Sequence, residues 1–159
     1  MIEDSMYLYG GQRNAIDNSG ELYEFKFKES VWEKIQPNGD LVPEPRDSHS
    51  ALVWKQEDQA TMVVFGGFIG GNLGEPCNEV LIFDPKQKTW EIASKNSDGS
   101  RFPKKRMGHA SVIIGDELYV FSGTDGEIKF NDLWKFDLKA RVWQSIDSKG
   151  TIPEVCSDL

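Results

Sequence analysis

The side chains that most often carry chemistry are few in this chain of 159 residues. His49 and His109 are its only histidines, and each follows an arginine by three residues. Because a position that recurs in this way is explained more simply by packing than by catalysis, we interpret both histidines as structural, with hydrogen bonds near a loop face. Cys77 and Cys156 are the only cysteines, and their spacing to the histidines does not indicate a metal site.

Three other kinds of active site also fail on spacing. No Gly-x-Ser-x-Gly segment is present to set a nucleophilic serine beside a histidine. The glycine-rich segment 70–74 has Asn72 where a phosphate-binding loop needs lysine, so it predicts a flexible surface loop. The acidic pairs that begin at Glu3 and Glu57 fall at a terminus and at a hairpin tip, as solvated turns do. We therefore expect no enzymatic activity, no cofactor and no metal.

Composition excludes several classes of partner. The 18 basic and 26 acidic residues give a formal net charge of −8. Such a surface repels phosphate, so we expect neither nucleic-acid binding nor membrane binding. The longest weakly polar run, residues 61–71, is about half the length of a membrane-spanning helix. Glu3 and Asp4 stand where a signal peptide needs a basic and then an apolar stretch, and we expect a cytoplasmic protein.

The elements that position these residues follow a pattern that recurs along the chain. An apolar segment ending in glycine occurs three times, at residues 6–11, 62–67 and 118–123. In each copy a phenylalanine is followed seven residues later by a tryptophan: Phe25 and Trp32, Phe83 and Trp90, and Phe136 and Trp143. An Arg-x-x-His segment, beginning at Arg46 and Arg106, occurs twice at a separation of 60 residues. The chain is therefore a repeat protein.

Each repeat is predicted to be a small antiparallel sheet. The apolar segments are rich in β-branched and aromatic residues, and Gly, Pro, Asn and Asp cluster between them. We predict strands a at 48–54 and 108–114, strands b at 5–10, 61–66 and 117–122, strands c at 22–27, 79–84 and 132–137, and strands d at 31–35, 89–93 and 142–146. The a–b and c–d links are mostly tight and every connection is predicted to be a hairpin, so each unit is a four-stranded antiparallel meander and the chain is all-β.

The double glycine after an apolar strand, with an aromatic residue and then a tryptophan, resembles the kelch motif over residues 6–153. The resemblance implies blades of a β-propeller, with strand a lining the channel and strand d at the outer edge. Its motif positions here are Gly10, Gly11, Phe25, Trp32, Gly66, Gly67, Phe83, Trp90, Gly123, Phe136 and Trp143, and Ser122 replaces a glycine in the third copy. We expect each tryptophan ring to pack between strands of its own blade and of the neighbouring blade.

The ring is predicted to be incomplete. We expect one propeller segment over residues 1–159, with repeats at about 5–47, 48–107 and 108–159. The first blade lacks its innermost strand, and Cys156 occupies the place of Arg46 after the third blade. Propellers close with about four to eight blades, so three blades leave apolar faces open to water. We predict that the chain is part of a larger propeller or self-associates.

The long loops are predicted to share one face, because antiparallel alternation places every b–c and d–a link at the same end of the blades. Loops held on a rigid frame are where recognition surfaces tend to lie. We predict that a protein partner contacts residues on this face: Arg13, Asn14, Phe68, Asn72, Arg101, Phe102, Lys104, Lys105, Arg106, Asp125 and Lys129. Five basic residues between Lys95 and Arg106 surround Phe102 and suit an acidic partner surface, whereas a solvated loop without a partner is the alternative.

The resemblance implies a non-catalytic protein-interaction module, such as a ubiquitin-ligase substrate adaptor or a cytoskeletal scaffold. The alternative is an enzyme or a small-molecule site completed by blades outside this chain. The partner is then either another protein or the remaining blades of the propeller.

Overall fold

The computed structural model describes Ile2 and residues 4–95, 99 and 101–153. In this part of the chain the structure is all-β apart from one turn of 3-10 helix at Gly71–Leu73. The first blade has strands β1 (Ser5–Tyr9), β4 (Leu22–Lys26) and β5 (Val31–Ile35). The second has β7 (Ser50–Lys55), β8 (Ala60–Phe65), β11 (Val80–Asp84) and β12 (Thr89–Ser94). The third has β13 (Ala110–Ile114), β14 (Glu117–Phe121), β15 (Leu133–Asp137) and β16 (Val142–Ile146).

Within each blade the strands are antiparallel neighbours in chain order, so the prediction of kelch-type meanders is confirmed. The first blade has three long strands, ordered β1-β4-β5, and the described blades do not close a ring. Ile2 is nevertheless bridged to Ser5, as Trp54 of β7 is paired with Thr61 of β8. Ile2 therefore occupies the position that Trp54 has in the inner strand of the second blade.

The remaining short strands lie in the loops. A hairpin of β2 (Gln12–Asn14) and β3 (Asp17–Asn18) follows β1. A small sheet ordered β10-β9-β6 joins β6 (Arg46–Asp47), β9 (Phe68–Ile69) and β10 (Glu75–Pro76). Since β6 belongs to a d–a loop and the other two to a b–c loop, main-chain hydrogen bonds fix both kinds of loop to each other.

Burial on both faces explains why β8 is almost entirely apolar. Met62 and Val64 pack into the core shared with the first blade, whereas Val63 and Phe65 pack into the core shared with the third. Alternate side chains of a strand point to opposite faces, so a strand between two blades needs apolar residues at consecutive positions.

The repeated tryptophans form these inter-blade cores. The Trp90 ring lies 4.8 Å from the ring of Tyr9 in the preceding blade, and Trp143 lies 5.2 Å from Phe65 in the same way. Both indoles are 7% exposed. Trp32 is 49% exposed, because no described residue forms a blade in front of it.

The first blade exposes a face whose equivalent in the second blade is buried. Leu8 is 52% exposed, whereas Val64, at the same position of the second blade, is completely buried. Met6 is also exposed, and Met62 at its equivalent position is buried. The first blade therefore keeps an apolar face of the kind that its neighbours bury.

Candidate protein-interaction site

Beneath the loop face, Arg46 connects the first blade to the second. Its main-chain carbonyl accepts a hydrogen bond from the Gly11 N–H at 2.8 Å, and its own N–H donates to the Ser19 carbonyl at 3.2 Å. Its side chain points the other way, donating to the Gly66 carbonyl at 3.2 Å and to the Glu79 carboxylate at 2.9 Å. The guanidinium is fully buried, so its charge is balanced inside the protein.

Arg106 repeats this arrangement between the second and third blades. Its carbonyl accepts from the Gly67 N–H at 2.9 Å, and its N–H donates to the Cys77 carbonyl at 3.0 Å. The buried guanidinium donates to the Ser122 carbonyl at 2.8 Å and to both carboxylate oxygens of Asp132, at 2.7 and 2.8 Å. Partial burial of Asp132 works to raise its pKa, but the hydrogen bonds and charge of Arg106 outweigh it and the pKa is lowered. We call Arg46 and Arg106 the inter-blade arginines.

The burial of Arg106 corrects one sequence prediction. A partner cannot reach this side chain, which is 0% exposed and held by its own blade. Arg106 was grouped with the surface because it directly follows Lys104 and Lys105, but it supports the loop face from below.

The two histidines also lie at blade junctions. The His109 ring packs edge-on against Phe65 with the ring centres 4.9 Å apart, and its Nε2 lies 3.0 Å from the Ser50 hydroxyl. Burial lowers the pKa of His109 to about 3, with a further contribution from the charge of Arg106. Burial likewise lowers the pKa of His49 to about 4. Both rings are therefore neutral at physiological pH, which suits packing.

Cys77 is equally inert. The thiol is buried, and its Sγ lies 3.3 Å from Nη1 of Arg46. Burial raises the pKa of Cys77 to about 11, so the nucleophilic thiolate is absent at neutral pH. No group of three or more His, Cys, Asp or Glu side chains placed to hold a metal ion occurs among the described residues, and Cys156 lies outside them.

A cleft of about 1080 Å³ opens on the loop face between the second and third blades. It is bounded by the b–c loops of both blades and by the d–a loop that joins them. Aromatic and proline side chains contribute an apolar lining: Phe68, Pro76, Phe102, Pro103, Phe130 and Trp134. We call it the loop-face cleft.

Six of the sequence-predicted contact residues line the loop-face cleft: Phe68, Phe102, Lys104, Lys105, Asp125 and Lys129. Arg13 and Asn14 lie instead on the β2–β3 hairpin of the first blade, where Arg13 contacts Glu21 at 3.0 Å. Asn72 belongs to the 3-10 turn, and Arg101 is exposed outside the lining.

The charge of the cleft is mixed rather than basic. Lys105 forms an ion pair with Glu75 at 3.1 Å. The acids Asp125, Glu127 and Asp132 line the same cleft. The floor is stiffened by Phe130, because the guanidinium carbon of Arg106 lies 4.6 Å from its ring centre. The cleft thus offers an apolar floor with a rim of both signs of charge.

Sequence reasoning missed the acids that pair with the inter-blade arginines. Glu79 and Asp132 each stand one residue before the c strand of their blade. The available signal was that an acidic residue recurs just before strand c in the same repeats in which an arginine recurs before strand a. Phe130 was missed as well, because nothing in the order of residues shows which aromatic side chain of a loop turns inward.

These observations define a class first: the chain is a set of antiparallel β-propeller blades. A sequence profile of the KLHDC2/KLHL20/DRC7 Kelch-repeats domain matches residues 1–158, so the chain belongs to the kelch-repeat family. Kelch repeats generally form protein-interaction modules.

Several curated proteins are similar to this chain. A leucine-zipper-like transcriptional regulator 1 homolog from Drosophila melanogaster is 28% identical over 161 residues, covering 99% of this chain and 16% of that protein. Human Kelch domain-containing protein 10 is 31% identical over 154 residues, covering 89% and 33%. An N-(sulfonatooxy)prop-2-enimidothioate sulfolyase from Thlaspi arvense is 32% identical over 128 residues, covering 75% and 33%. The chain thus spans one third or less of the length of these three relatives.

Within the described residues, no helix has the length and apolar character to cross a membrane.

Proposed function

We propose that the chain is a non-catalytic interaction module that binds a protein partner through the loop-face cleft. The observation that carries the proposal is the convergence of three long loops on one cleft with an apolar floor and a charged rim. Protein-recognition sites combine buried aromatic anchors with a polar rim, and this cleft has both. Its loops are held in place by the small β6–β9–β10 sheet and by the Arg106 network beneath.

The composition of the cleft indicates the kind of partner segment. Phe68 and Phe102 provide apolar contact area, and Lys104 and Lys129 stand at the rim with exposed side chains. A segment that inserts an apolar side chain and places an acidic group beside these lysines fits such a surface. Adaptor and scaffold roles are both compatible with this binding, and the cytoplasm remains the compartment that we expect.

A charge-reversal pair tests the proposal. Peptides from a displayed random library are selected on the immobilised chain, and their affinities for variants are then measured. Lys104→Glu should weaken binding by about tenfold, since a close opposite charge becomes a like charge. Lys55→Glu makes the same change on the exposed end of β7, outside the cleft, and should leave affinity unchanged. Equal effects of the two variants, or failure to select any peptide, would contradict the proposal.

A further inference from the structure

We propose that the second and third blades form a binding site for a neutral sugar at the end of the blades opposite the loop face. This end carries the a–b and c–d turns, and we call it the turn face. A cleft of about 430 Å³ opens there between the two blades. Its volume lies in the range of about 300–1,000 Å³ that is usual for small-molecule sites. We call it the turn-face cleft.

The two walls of the turn-face cleft come from different blades. One wall is a row that crosses the second blade, with one residue on each strand: Trp54, Thr61, Asp84 and Thr89. The other wall is the c–d turn of the third blade, which contributes Lys139 and Arg141. Because both walls belong to hydrogen-bonded hairpins, the site is built on rigid elements.

The second-blade wall contains a buried hydroxyl that is not used. Thr61 is 4% exposed, yet its Oγ1 has no hydrogen-bond partner among the described residues. At the equivalent position of the first blade, the Ser5 hydroxyl donates to the Glu24 carboxylate at 2.6 Å. The second blade has Ile82 where the first has Glu24, so the acceptor is replaced by an apolar side chain. Since an unpaired buried hydroxyl is destabilising, a ligand that pairs with it accounts for a threonine at this position.

The third-blade wall supplies an unused donor. Nη2 of Arg141 donates to the Glu91 carboxylate at 2.8 Å, whereas Nη1 is buried and has no partner among the residues that the structure describes. The side chains of Arg141 and Glu91 are 31% and 58% exposed. Because an exposed ion pair is weak, it leaves the guanidinium free to turn towards a ligand. Thr61 and Arg141 thus offer hydrogen bonds from the two walls.

The charges that line the cleft are already satisfied. Lys139 lies 2.6 Å from the Asp116 carboxylate, which also accepts from the Trp54 indole at 2.9 Å. Asp84 accepts from the Gln59 amide at 2.8 Å and from two main-chain N–H groups of its own c–d turn. An ionic ligand would have to break one of these arrangements, whereas a neutral ligand leaves them intact.

The remaining lining groups match hydroxyls. The amide side chains of Gln56 and Gln87 and the hydroxyl of Thr89 can each donate and accept, as a sugar hydroxyl does. A phosphate or carboxylate only accepts, and it would face the carboxylates of Asp84 and Glu91. An extended peptide needs a long groove or a strand edge, whereas this cleft is confined to the turn end of the blades. A small molecule with several hydroxyls therefore fits best.

The indole N–H of Trp54 reports on binding, because it lies in the cleft wall. Spectra that correlate ¹H with ¹⁵N are recorded on the full chain while glucose, galactose, mannose or N-acetylglucosamine is added. We expect a saturable shift of the Trp54 indole signal with at least one of these sugars. The Trp134 indole, which donates to Asp132 in the loop-face cleft, is the internal control and should not move. Inorganic phosphate, the charged probe, should leave both signals in place.

Thr61→Val is the matched test of the hydroxyl, since it keeps the shape of the side chain. We expect sugar affinity to fall by about fivefold, the effect of one hydrogen bond. The urea midpoint should not fall, because this hydroxyl bonds to no described residue of the chain. Ser5→Ala is the control: it removes the equivalent, partnered hydroxyl, so it should lower the urea midpoint and leave sugar affinity unchanged. Arg141→Lys keeps the charge beside Glu91 but lacks Nη1, and it should weaken sugar binding as Thr61→Val does.

Three results would overturn the proposal: no sugar shifts the Trp54 signal, sugar affinity is unchanged by Thr61→Val, or phosphate shifts the signal as sugar does. Library peptides that shift the Trp54 signal and not the Trp134 signal would also overturn it, by making the cleft a peptide site. Lys104→Glu should leave sugar binding unchanged, and Thr61→Val should leave peptide binding to the loop-face cleft unchanged. The two sites can therefore fail independently.

Discussion

The repeated tryptophans allow one prediction in which the same substitution is made at equivalent places with different burial. Trp90→Ala removes a ring that is 7% exposed and packed on Tyr9, whereas Trp32→Ala removes a ring that is 49% exposed. The difference is about two fifths of a side-chain surface of roughly 250 Å², or about 100 Å². At about 25 cal/mol per Å², the free energy of unfolding should fall by about 2.5 kcal/mol more for Trp90→Ala.

Absolute values follow from the cavity that each substitution leaves. Trp90→Ala should cost about 4 kcal/mol, in the usual range for a buried aromatic ring, and Trp32→Ala about 1.5 kcal/mol. Urea unfolding followed by far-UV circular dichroism measures both, because this signal does not depend on indole fluorescence. Trp143→Ala, with the same 7% exposure, is the positive control. Equal losses for Trp32 and Trp90 would refute the claim that the outer face of the first blade is open in the isolated chain.

Three further predictions concern the junctions between blades. Arg106→Met should lower the free energy of unfolding by about 3 kcal/mol, because it removes the ion pair with Asp132 and the buried hydrogen bond to the Ser122 carbonyl. In urea unfolding, adding Asp132→Asn should recover part of this loss, and simple additivity of the two substitutions would contradict the pairing. Because burial lowers the pKa values of His49 and His109, these side chains bind protons below pH 6.5 in the unfolded chain but not in the folded chain. The free energy of unfolding should therefore be highest above pH 6.5 and should fall by about 1.4 kcal/mol per pH unit for each histidine, down to its folded pKa of about 4 for His49 and about 3 for His109. Urea unfolding at pH 7 and pH 5 measures this change, and equal stability at the two pH values would contradict it. Cys77 should resist alkylation at neutral pH until urea unfolds the chain, as read by peptide mass spectrometry, and rapid labelling of the native protein would contradict its burial.

The strands could be predicted from sequence because each hairpin depends on residues close together in the chain, and the same spacing recurs in every repeat. Phe83 and Trp90, seven residues apart, belong to strands β11 and β12 that pair directly. The same spacing at Phe25 and Trp32 gives the same pairing in the first blade. Local spacing therefore determined which residues face each other across a hairpin.

The inter-blade arginines could not be predicted in the same way. The burial of Arg106 depends on Asp132, which is 26 residues away, whereas its immediate neighbours Lys104 and Lys105 indicated a basic surface. The mixed charge of the cleft could not be predicted for the same reason, since Glu75 and Asp125 enter it from other loops.

The two-sided bonding of Arg46 affects where the chain can be divided in protein engineering. A boundary drawn just after this residue, as a count of repeats suggests, would assign the guanidinium to one module and its acceptors Gly66 and Glu79 to the next. Recombining kelch units from different sources at that boundary would pair each arginine with a foreign carboxylate. A crossover in the turn at residues 56–59, between β7 and β8, would likewise separate the arginine from both of its second-blade acceptors. Module exchange should therefore keep residues 46–79 together as the smallest unit.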